Sequence, residues 1–238
     1  MIERRPFNQL GQTKINWLHA RHHFSFGHYR QPGRDHWGTL RVWNDDIIQP
    51  HQGFPPHPHD NMEIITYVQS GAISHKDSLG NSGRTEAGDV QVMSAGTGIT
   101  HSEYNHENTE TQLFQIWILP EMRDQPPSWG TRSFPQQERS GQFTVLASGF
   151  DTDTDALPIR TPSRVLGATV EKGQTIVYEF DSPDRYGYLV PAQGVITVNG
   201  IEINTRDGAA ITGETSIEVK ALETAEIVLV DTPALRSA

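Results

Sequence analysis

The chain has 238 residues, of which 35% are hydrophobic and 20% charged, and its 19 basic and 29 acidic residues give a formal net charge of −10. An acidic surface disfavours direct binding to nucleic acid, because proteins bind phosphates with lysine and arginine. The absence of cysteine excludes disulfides and thiolate metal sites. No apolar run approaches the length that spans a membrane, and the N-terminus lacks the apolar stretch of a secretory signal. We therefore expect a cytoplasmic protein without a nucleic-acid or membrane partner.

The first half of the chain contains short segments that alternate or are rich in β-branched and aromatic residues, as strands are. A strand is predicted at 39–43 and is expected to end at the turn-forming residues Asn44, Asp45 and Asp46. Further strands are predicted at 62–68, 72–76, 90–93 and 112–119. Polar and glycine-rich turns separate these segments, so the first half is predicted to be all-β.

A segment rich in proline, glycine and polar residues follows at 120–141 and predicts a linker. Within it, residues 136–139 are expected to form a short turn. Strands resume at 143–147.

The second half resembles a worn copy of the first. The order glycine, strand, turn, strand, glycine occurs in both, and Asn199 followed by Gly200 is a strong hairpin signal. Sustained helical periodicity is nearly absent. The sequence therefore predicts an all-β protein with two β-barrels or sandwiches, residues 1–134 and residues 135–238.

Histidine is concentrated in the first half, where all 11 lie between His19 and His106. Residues two apart on a strand share a face, so His57 pairs with His59 and His101 pairs with Glu103. If the fold sets those two strands side by side, three imidazoles and one carboxylate converge. That ligand set suits iron, nickel, copper, zinc or manganese.

A single His-x-His is more often a pair of surface or core histidines than a metal site. Here the second pair and the residues around both pairs favour a metal site. Pro58 fixes the backbone between the first two histidines, and Gly96 and Gly98 allow a tight turn before the third. The remaining histidines weighed as ligands lack a partner at fixed spacing and are expected not to bind the metal. They are His22, His23, His51, His75 and His106. The adjacent pair His22 and His23 would line a pocket mouth or lie on the surface.

Glu63 lies four residues after His59 and shares its face only if the strand is regular. It could be a fifth ligand, an acceptor that orients an imidazole, or a residue outside the site. The last two readings are favoured.

Two sets of residues in these segments resemble the motifs of the cupin superfamily, with altered spacing. The first set is Gly53, His57, His59, Glu63 and Gly71. The second set is Gly88, Gly96, His101 and Asn105. The alterations resemble the pirin family, and this likeness covers most of residues 20–120. It rests on segments 24–26, 40–42, 44–46, 53–59, 62–64, 94–99 and 101–103.

The resemblance to pirins implies a bicupin, with two β-barrel (double-stranded β-helix) domains in tandem and metal ligands only in the first. The family's ligands fall on His57, His59, His101 and Glu103. One divalent transition metal per chain is implied, with Fe(II) expected and Zn, Co, Cu, Ni or Mn as alternatives, and no organic cofactor. At residue 60 this chain has aspartate where many relatives carry arginine, which leaves the substrate preference open.

Bacterial pirins of this kind resemble flavonol 2,3-dioxygenases. The expected function is therefore metal-dependent opening of the heterocycle of a flavonol such as quercetin by O2, with release of carbon monoxide. Glu103 is expected to be both a ligand and the general base. The alternative is a non-enzymatic, redox-sensing metal protein that regulates through protein partners; a storage or isomerase cupin fits less well. A monomer is expected.

Four apolar side chains are candidates for the wall of a pocket around a flat aromatic substrate. They are Phe24, Phe26, Phe54 and Met93. For any one of them, packing in the barrel core is the more common role.

Overall fold

The computed structural model describes residues 1–134 and 139–235. Its strands are, in chain order, β1 Ile2–Arg5, β2 Gly11–Lys14, β3 Leu18–His22, β4 Leu40–Ile48, β5 Gly53–His59, β6 Glu63–Ser70, β7 Ala72–Asp77, β8 Ser82–Glu86, β9 Val90–Ser94, β10 Ile99–Tyr104, β11 Thr111–Ile118, β12 Ser128–Arg132, β13 Thr144–Ser148, β14 Leu157–Pro158, β15 Arg164–Val170, β16 Thr175–Glu179, β17 Tyr186–Gln193, β18 Ile196–Val198, β19 Ile201–Ile203, β20 Gly208–Thr212, β21 Ser216–Ala221 and β22 Ala225–Thr232. A 3₁₀ turn spans Phe7–Gln9. The turn predicted at 136–139 lies mostly outside the described residues. The proposed boundary after residue 134 also falls there, so the division into domains 1–134 and 135–238 stays a prediction.

Each half consists of a seven-stranded sheet and a four-stranded sheet. In the first half the strand orders are β12-β9-β6-β11-β4-β3-β2 and β5-β10-β7-β8. In the second half they are β1-β20-β17-β22-β15-β13-β14 and β16-β21-β18-β19. The sheets of a half face each other across an apolar core, as where Ile73 of β7 packs with Val68 of β6 and Leu113 of β11. The predicted all-β fold is confirmed, in the form of facing sheets.

A separate apolar core joins the two halves. Side chains alternate across a strand, so the larger sheet of the first half presents one face to its own small sheet and the other to the second half. Trp43 and Phe114 on that outer face pack in one cluster with Tyr188 and Val228 of the second half. Strand β1 also crosses over, pairing Ile2 with Ile211 in the sheet of the second half.

The predicted strands of the first half are confirmed, but the prediction of a turn at 44–46 is wrong. Asn44, Asp45 and Asp46 are buried inside β4, which continues to Ile48. Their polar groups reach distant partners: Asn44 Oδ1 bonds His22 Nδ1 at 2.8 Å, and Asp45 Oδ1 accepts from Arg206 Nη2 at 2.9 Å. Because these partners are far away in sequence, local turn signals could not reveal them.

The predicted linker also contains more structure than expected, since Ser128–Arg132 pairs with β9 at the edge of the larger sheet. The hairpin at Asn199 and Gly200 is confirmed. Their φ angles of 45° and 81° are both positive, as a type I′ turn requires. No helix within the described ranges has the length and apolar character to cross a membrane.

Candidate metal centre

The two histidine segments lie side by side as neighbouring antiparallel strands. β10 pairs with β5 so that His101 lies opposite His57 and Ile99 lies opposite His59. β5 forms the edge of its sheet, where the amide that Pro58 lacks is not needed for strand pairing. The arrangement brings His57, His59 and His101 together, with ligand nitrogens all within 4.8 Å of one another.

The orientation of the His57 ring leaves its lone pair facing the other two histidines. His57 Nδ1 donates to the carbonyl oxygen of Pro55 at 2.8 Å, so its Nε2 carries the lone pair in the neutral ring. That Nε2 lies 3.1 Å from Nε2 of His101. The His59 ring makes a T-shaped contact with Trp117, with ring centroids 5.0 Å apart. A separation of 3.1 Å suits two nitrogens that share one ion at metal–nitrogen distances of about 2.0–2.1 Å.

Electrostatics favour the neutral imidazoles that metal binding requires. Burial and the neighbouring His57 lower the pKa of His59 to about 4. Burial, His57 and His59 lower the pKa of His101 to about 2. Burial therefore keeps His59 and His101 neutral, and their nitrogens converge with that of His57 in a grouping that fits a divalent transition metal.

Glu103 lies next to this trio but is held by its own network. The pairing register with β5 shifts between His101 and Glu103, which marks a β-bulge. Gln91 Nε2 donates to Oε1 at 2.6 Å, Thr66 Oγ1 donates to Oε1 at 3.2 Å, and Gln115 Nε2 donates to Oε2 at 2.6 Å. Burial raises the pKa of Glu103 to about 7, while hydrogen bonds from Gln115, Thr66 and Gln91 oppose that rise.

Glu103 groups instead with His101 and His75, whose potential ligand atoms also lie within 4.8 Å of one another. His75 thus lies beside the centre, where the sequence did not predict it. Gln91 and Gln115 were also missed. The signal that could have found them is a glutamine that shares a strand face with apolar residues, as Gln91 does with Met93 in β9 and Gln115 does with Leu113 and Trp117 in β11.

Glu63 lies outside the centre. Its Oε2 accepts from Ser94 Oγ at 2.6 Å and from the backbone N–H of Arg160 at 3.2 Å, so it bonds across to the second half. The shared face with His59 is lost because β5 ends before β6 begins, and Asn61 between them has a φ of 45°. Of the readings left open for Glu63, only a role outside the site agrees with these contacts.

The histidine trio opens into a cavity of about 210 Å³ between the two sheets of the first half. Its apolar wall includes Leu18, Ala20, Phe26, Phe54 and Trp117. Phe26 and Phe54 therefore line an apolar cavity, whereas the flat aromatic substrate stays a prediction. Phe24 and Met93 pack elsewhere, in the core shared by the two halves and in a cluster with Ile64, Ala95 and Ile99.

The polar wall of the cavity comes from the larger sheet and includes His22, Asn44, Asp46 and Gln115. Asp46 is 2% exposed, and its Oδ1 has no hydrogen-bond partner among the described residues. Burial, then the charges of Asp45 and Glu103, raise the pKa of Asp46 well above its usual value. His23, by contrast with His22, is buried against the second half, where its Nδ1 bonds Tyr188 Oη at 2.9 Å.

Two tandem all-β halves, with a cluster of metal-ligating side chains in the first, define a bicupin with a candidate metal centre in its N-terminal part. Residues 3–118 match the sequence model of the family Pirin, and residues 145–232 match that of the Quercetinase C-terminal cupin domain. The chain belongs to the pirin family.

These relatives match nearly the whole chain. A "Pirin-like protein" of Caulobacter vibrioides is 60% identical over 231 residues, which cover 97% of this chain and 99% of the relative. A "Quercetin 2,3-dioxygenase" of Escherichia coli is 38% identical over 234 residues, covering 98% and 99%. The solved structure of the bacterial pirin YhhW from Escherichia coli in complex with nickel(II) superposes with a TM-score of 0.92 at 37% identity, covering 99% of this chain and 100% of that chain. The expected bicupin fold and the resemblance to pirins are confirmed.

Proposed function

We propose that this protein is a metal-dependent dioxygenase that opens the heterocycle of a flavonol such as quercetin, consuming O2 and releasing carbon monoxide. The observation that carries this proposal is the opening of the histidine trio into a cavity with aromatic and aliphatic walls. A flat polyphenol matches such a cavity, because ring faces pack on apolar side chains while hydroxyl groups need a few polar partners. Names of relatives such as the Escherichia coli quercetin 2,3-dioxygenase support the same reaction class.

In this proposal His57, His59, His101 and Glu103 hold one divalent transition metal, with Fe(II) the expected ion and Zn, Co, Cu, Ni or Mn as alternatives. Such an ion, when bound, polarises a coordinating hydroxyl oxygen and lowers its pKa. Glu103 also accepts the proton of the flavonol 3-hydroxyl. Gln91 and Gln115 fix the plane of its carboxylate by bonding one oxygen each, at 2.6 Å.

The test is aerobic incubation of metal-loaded protein with quercetin, following the loss of flavonol absorbance and the release of carbon monoxide. The same concentration of free metal ion serves as the control, because flavonols also react slowly with air. Catalysed release of carbon monoxide in proportion to flavonol loss is expected. A metal-replete protein that does no better than free metal would favour the alternative, a regulator that acts through protein partners.

Replacing Glu103 with glutamine should lower turnover far more than metal content. The amide cannot take the hydroxyl proton, and general-base catalysis typically contributes about 10²–10⁴-fold. Metal per chain and the rate of carbon monoxide release are measured on the same preparation. Glu63→Gln is the matched control, since Glu63 is equally buried but bonds Ser94 and Arg160 away from the cavity. Equal losses of metal and turnover in Glu103→Gln would leave that residue a ligand only.

Asp46→Leu should stabilise the protein and weaken substrate binding together. Its buried Oδ1 has no partner among the described residues, and such a group costs about 1–3 kcal/mol of stability. If the carboxyl serves a phenolic hydroxyl of the substrate, its loss should raise KM about tenfold while kcat and metal content change little. Thermal unfolding and steady-state kinetics are the measurements. Higher stability with an unchanged KM would show that Asp46 does not contact the substrate.

A further inference from the structure

We infer that Asp77 and His75 form a hydrogen-bonded chain that fixes the tautomer and orientation of His101, so that Nε2 of His101 is presented to the metal. Both are then positioning residues, and neither is a ligand. The inference rests on the metal centre of the proposed function and adds two residues from β7 to it.

Asp77 is the anchor of the chain. Its Oδ1 accepts from the backbone N–H groups of Leu79 at 2.9 Å and Asn81 at 3.0 Å, and its Oδ2 accepts from Asn81 Nδ2 at 3.0 Å. Oδ2 also lies 3.0 Å from Nε2 of His75, and both side chains are fully buried. An ionised carboxylate only accepts hydrogen bonds, so the proton of this contact resides on His75 Nε2.

His75 passes this constraint on to His101. The His75 ring is stacked on Trp129, with centroids 4.8 Å apart and planes 8° apart, which fixes its tilt. With Nε2 protonated, Nδ1 of the neutral ring is an acceptor. It lies 3.3 Å from Nδ1 of His101. The proton between these two nitrogens therefore belongs to His101, which leaves the lone pair of His101 on Nε2.

The consequence appears on the other side of the His101 ring, where Nε2 lies 3.1 Å from Nε2 of His57. The carbonyl of Pro55 already sets the His57 lone pair toward the same place. Two lone pairs that face each other across 3.1 Å repel unless a cation lies between them. The opposite tautomer of His101 would put a proton there and block the metal.

Strand order explains why these residues meet. β10 is the middle strand, with β5 on one side and β7 on the other. β5 sets His57 opposite His101, and β7 sets Asp77 opposite His101 and His75 opposite Glu103. Metal-binding histidines commonly donate their second nitrogen to an acceptor that orients the ring, and here that acceptor is another histidine.

The first test locates the two protons directly. In Zn(II)-loaded protein labelled with ¹⁵N-histidine, nuclear magnetic resonance should show His101 protonated on Nδ1 and His75 on Nε2. Assignments come from the loss of each signal in His101→Ala and His75→Phe. A wild-type His101 that carries its proton on Nε2, or a His75 protonated on both nitrogens, overturns the inference.

The second test measures affinity for Ni(II) or Zn(II) by competition with a chelator. His75→Phe, which keeps an aromatic ring on Trp129, should weaken binding about 10–100-fold, as expected for a residue that orients a ligand. His75→Gln, whose amide oxygen can accept from His101, should recover part of that loss. His106→Phe is the matched control, because His106 is exposed and stacks on Tyr104 outside the cavity.

The outcomes separate this inference from the proposed centre. If His101→Ala abolishes binding and His75→Phe matches wild type, the chain is overturned and the centre stands. If His75→Phe abolishes binding while His57→Ala retains it, His75 is itself a ligand and the chain is again overturned. If His101→Ala binds like wild type, both the centre and the chain fail.

Discussion

Replacing His59 with alanine should remove the bound metal and with it the turnover of flavonol. His59 is one of three imidazoles whose nitrogens lie within 4.8 Å of one another, so its loss takes one of the proposed neutral ligands. Polarisation by a metal is worth several kcal/mol, which corresponds to a loss of about 10³-fold or more in rate. Metal per chain after loading and gel filtration, together with carbon monoxide release from quercetin in air, are the two measurements.

His106→Ala is the control for His59→Ala, because it removes an exposed histidine outside the cavity. Its metal content and turnover should equal those of wild type. A His59→Ala protein that keeps its metal and loses turnover would make His59 a substrate contact. A protein that keeps both would contradict the proposed centre, and a wild type with metal but no turnover would support the regulatory alternative.

The histidine trio could be predicted from the sequence because two short-range rules are enough to identify it. Residues two apart share a face, and a second pair with the same spacing gives the first a partner. The same rule applies to His75 and Asp77, which share a face of β7. Spacing alone does not assign this pair to the centre, because it does not show that β7 is a neighbour of β10.

The network around Glu103 could not be predicted in the same way. A β-bulge between His101 and Glu103 shifts the register with β5, and a bulge leaves no clear trace in a single sequence. Gln91 and Gln115 approach from strands of the opposite sheet. Their contribution depends on how the two sheets face each other, which is a property of the whole first half.

The all-β fold and most strand positions follow from composition and alternation, whereas the errors arise where distant residues decide. The turn predicted at 44–46 is a strand because Asp45 is paired with Arg206 and Asn44 with His22. The crossing of β1 into the second half depends on Gly208–Thr212, which lies at the other end of the chain. Long-range pairing of this kind overrides local propensity.

The core shared by the two halves gives the second half a structural role for the first. The strands that carry Asn44, Asp46 and Gln115 into the cavity also carry Trp43 and Phe114 into that core. Because each of these strands has one face in the cavity and the other in the shared core, we expect packing against the second half to hold its position in the cavity. A second half without histidine can therefore stabilise the centre without contributing a ligand.

Trp43→Ala should lower the free energy of unfolding by about 3–5 kcal/mol, the usual cost of removing a large buried aromatic side chain. Trp43 is 0% exposed, and its ring centroid lies 5.2 Å from Phe114 in its own half and 5.5 Å from Tyr188 in the other. For a chain of this size that cost corresponds to a fall in Tm of roughly 6–20 °C. Calorimetry and urea unfolding, followed by tryptophan fluorescence and circular dichroism, measure the change.

Trp43→Phe separates the loss of packing from the loss of a polar group. Nε1 of Trp43 is buried without a hydrogen-bond partner among the described residues, so phenylalanine removes an unsatisfied donor while keeping a ring between the two halves. We expect it to cost less than about 1.5 kcal/mol, because relief of an unpaired donor offsets part of the cavity that the smaller ring leaves. Met122→Ala, at a residue that is 61% exposed, should leave Tm unchanged. Two results would contradict this coupling: unfolding of Trp43→Ala in two separate steps, or a loss of unfolding free energy no larger than that of Met122→Ala. The position of β4 in the cavity would then be set within the first half alone.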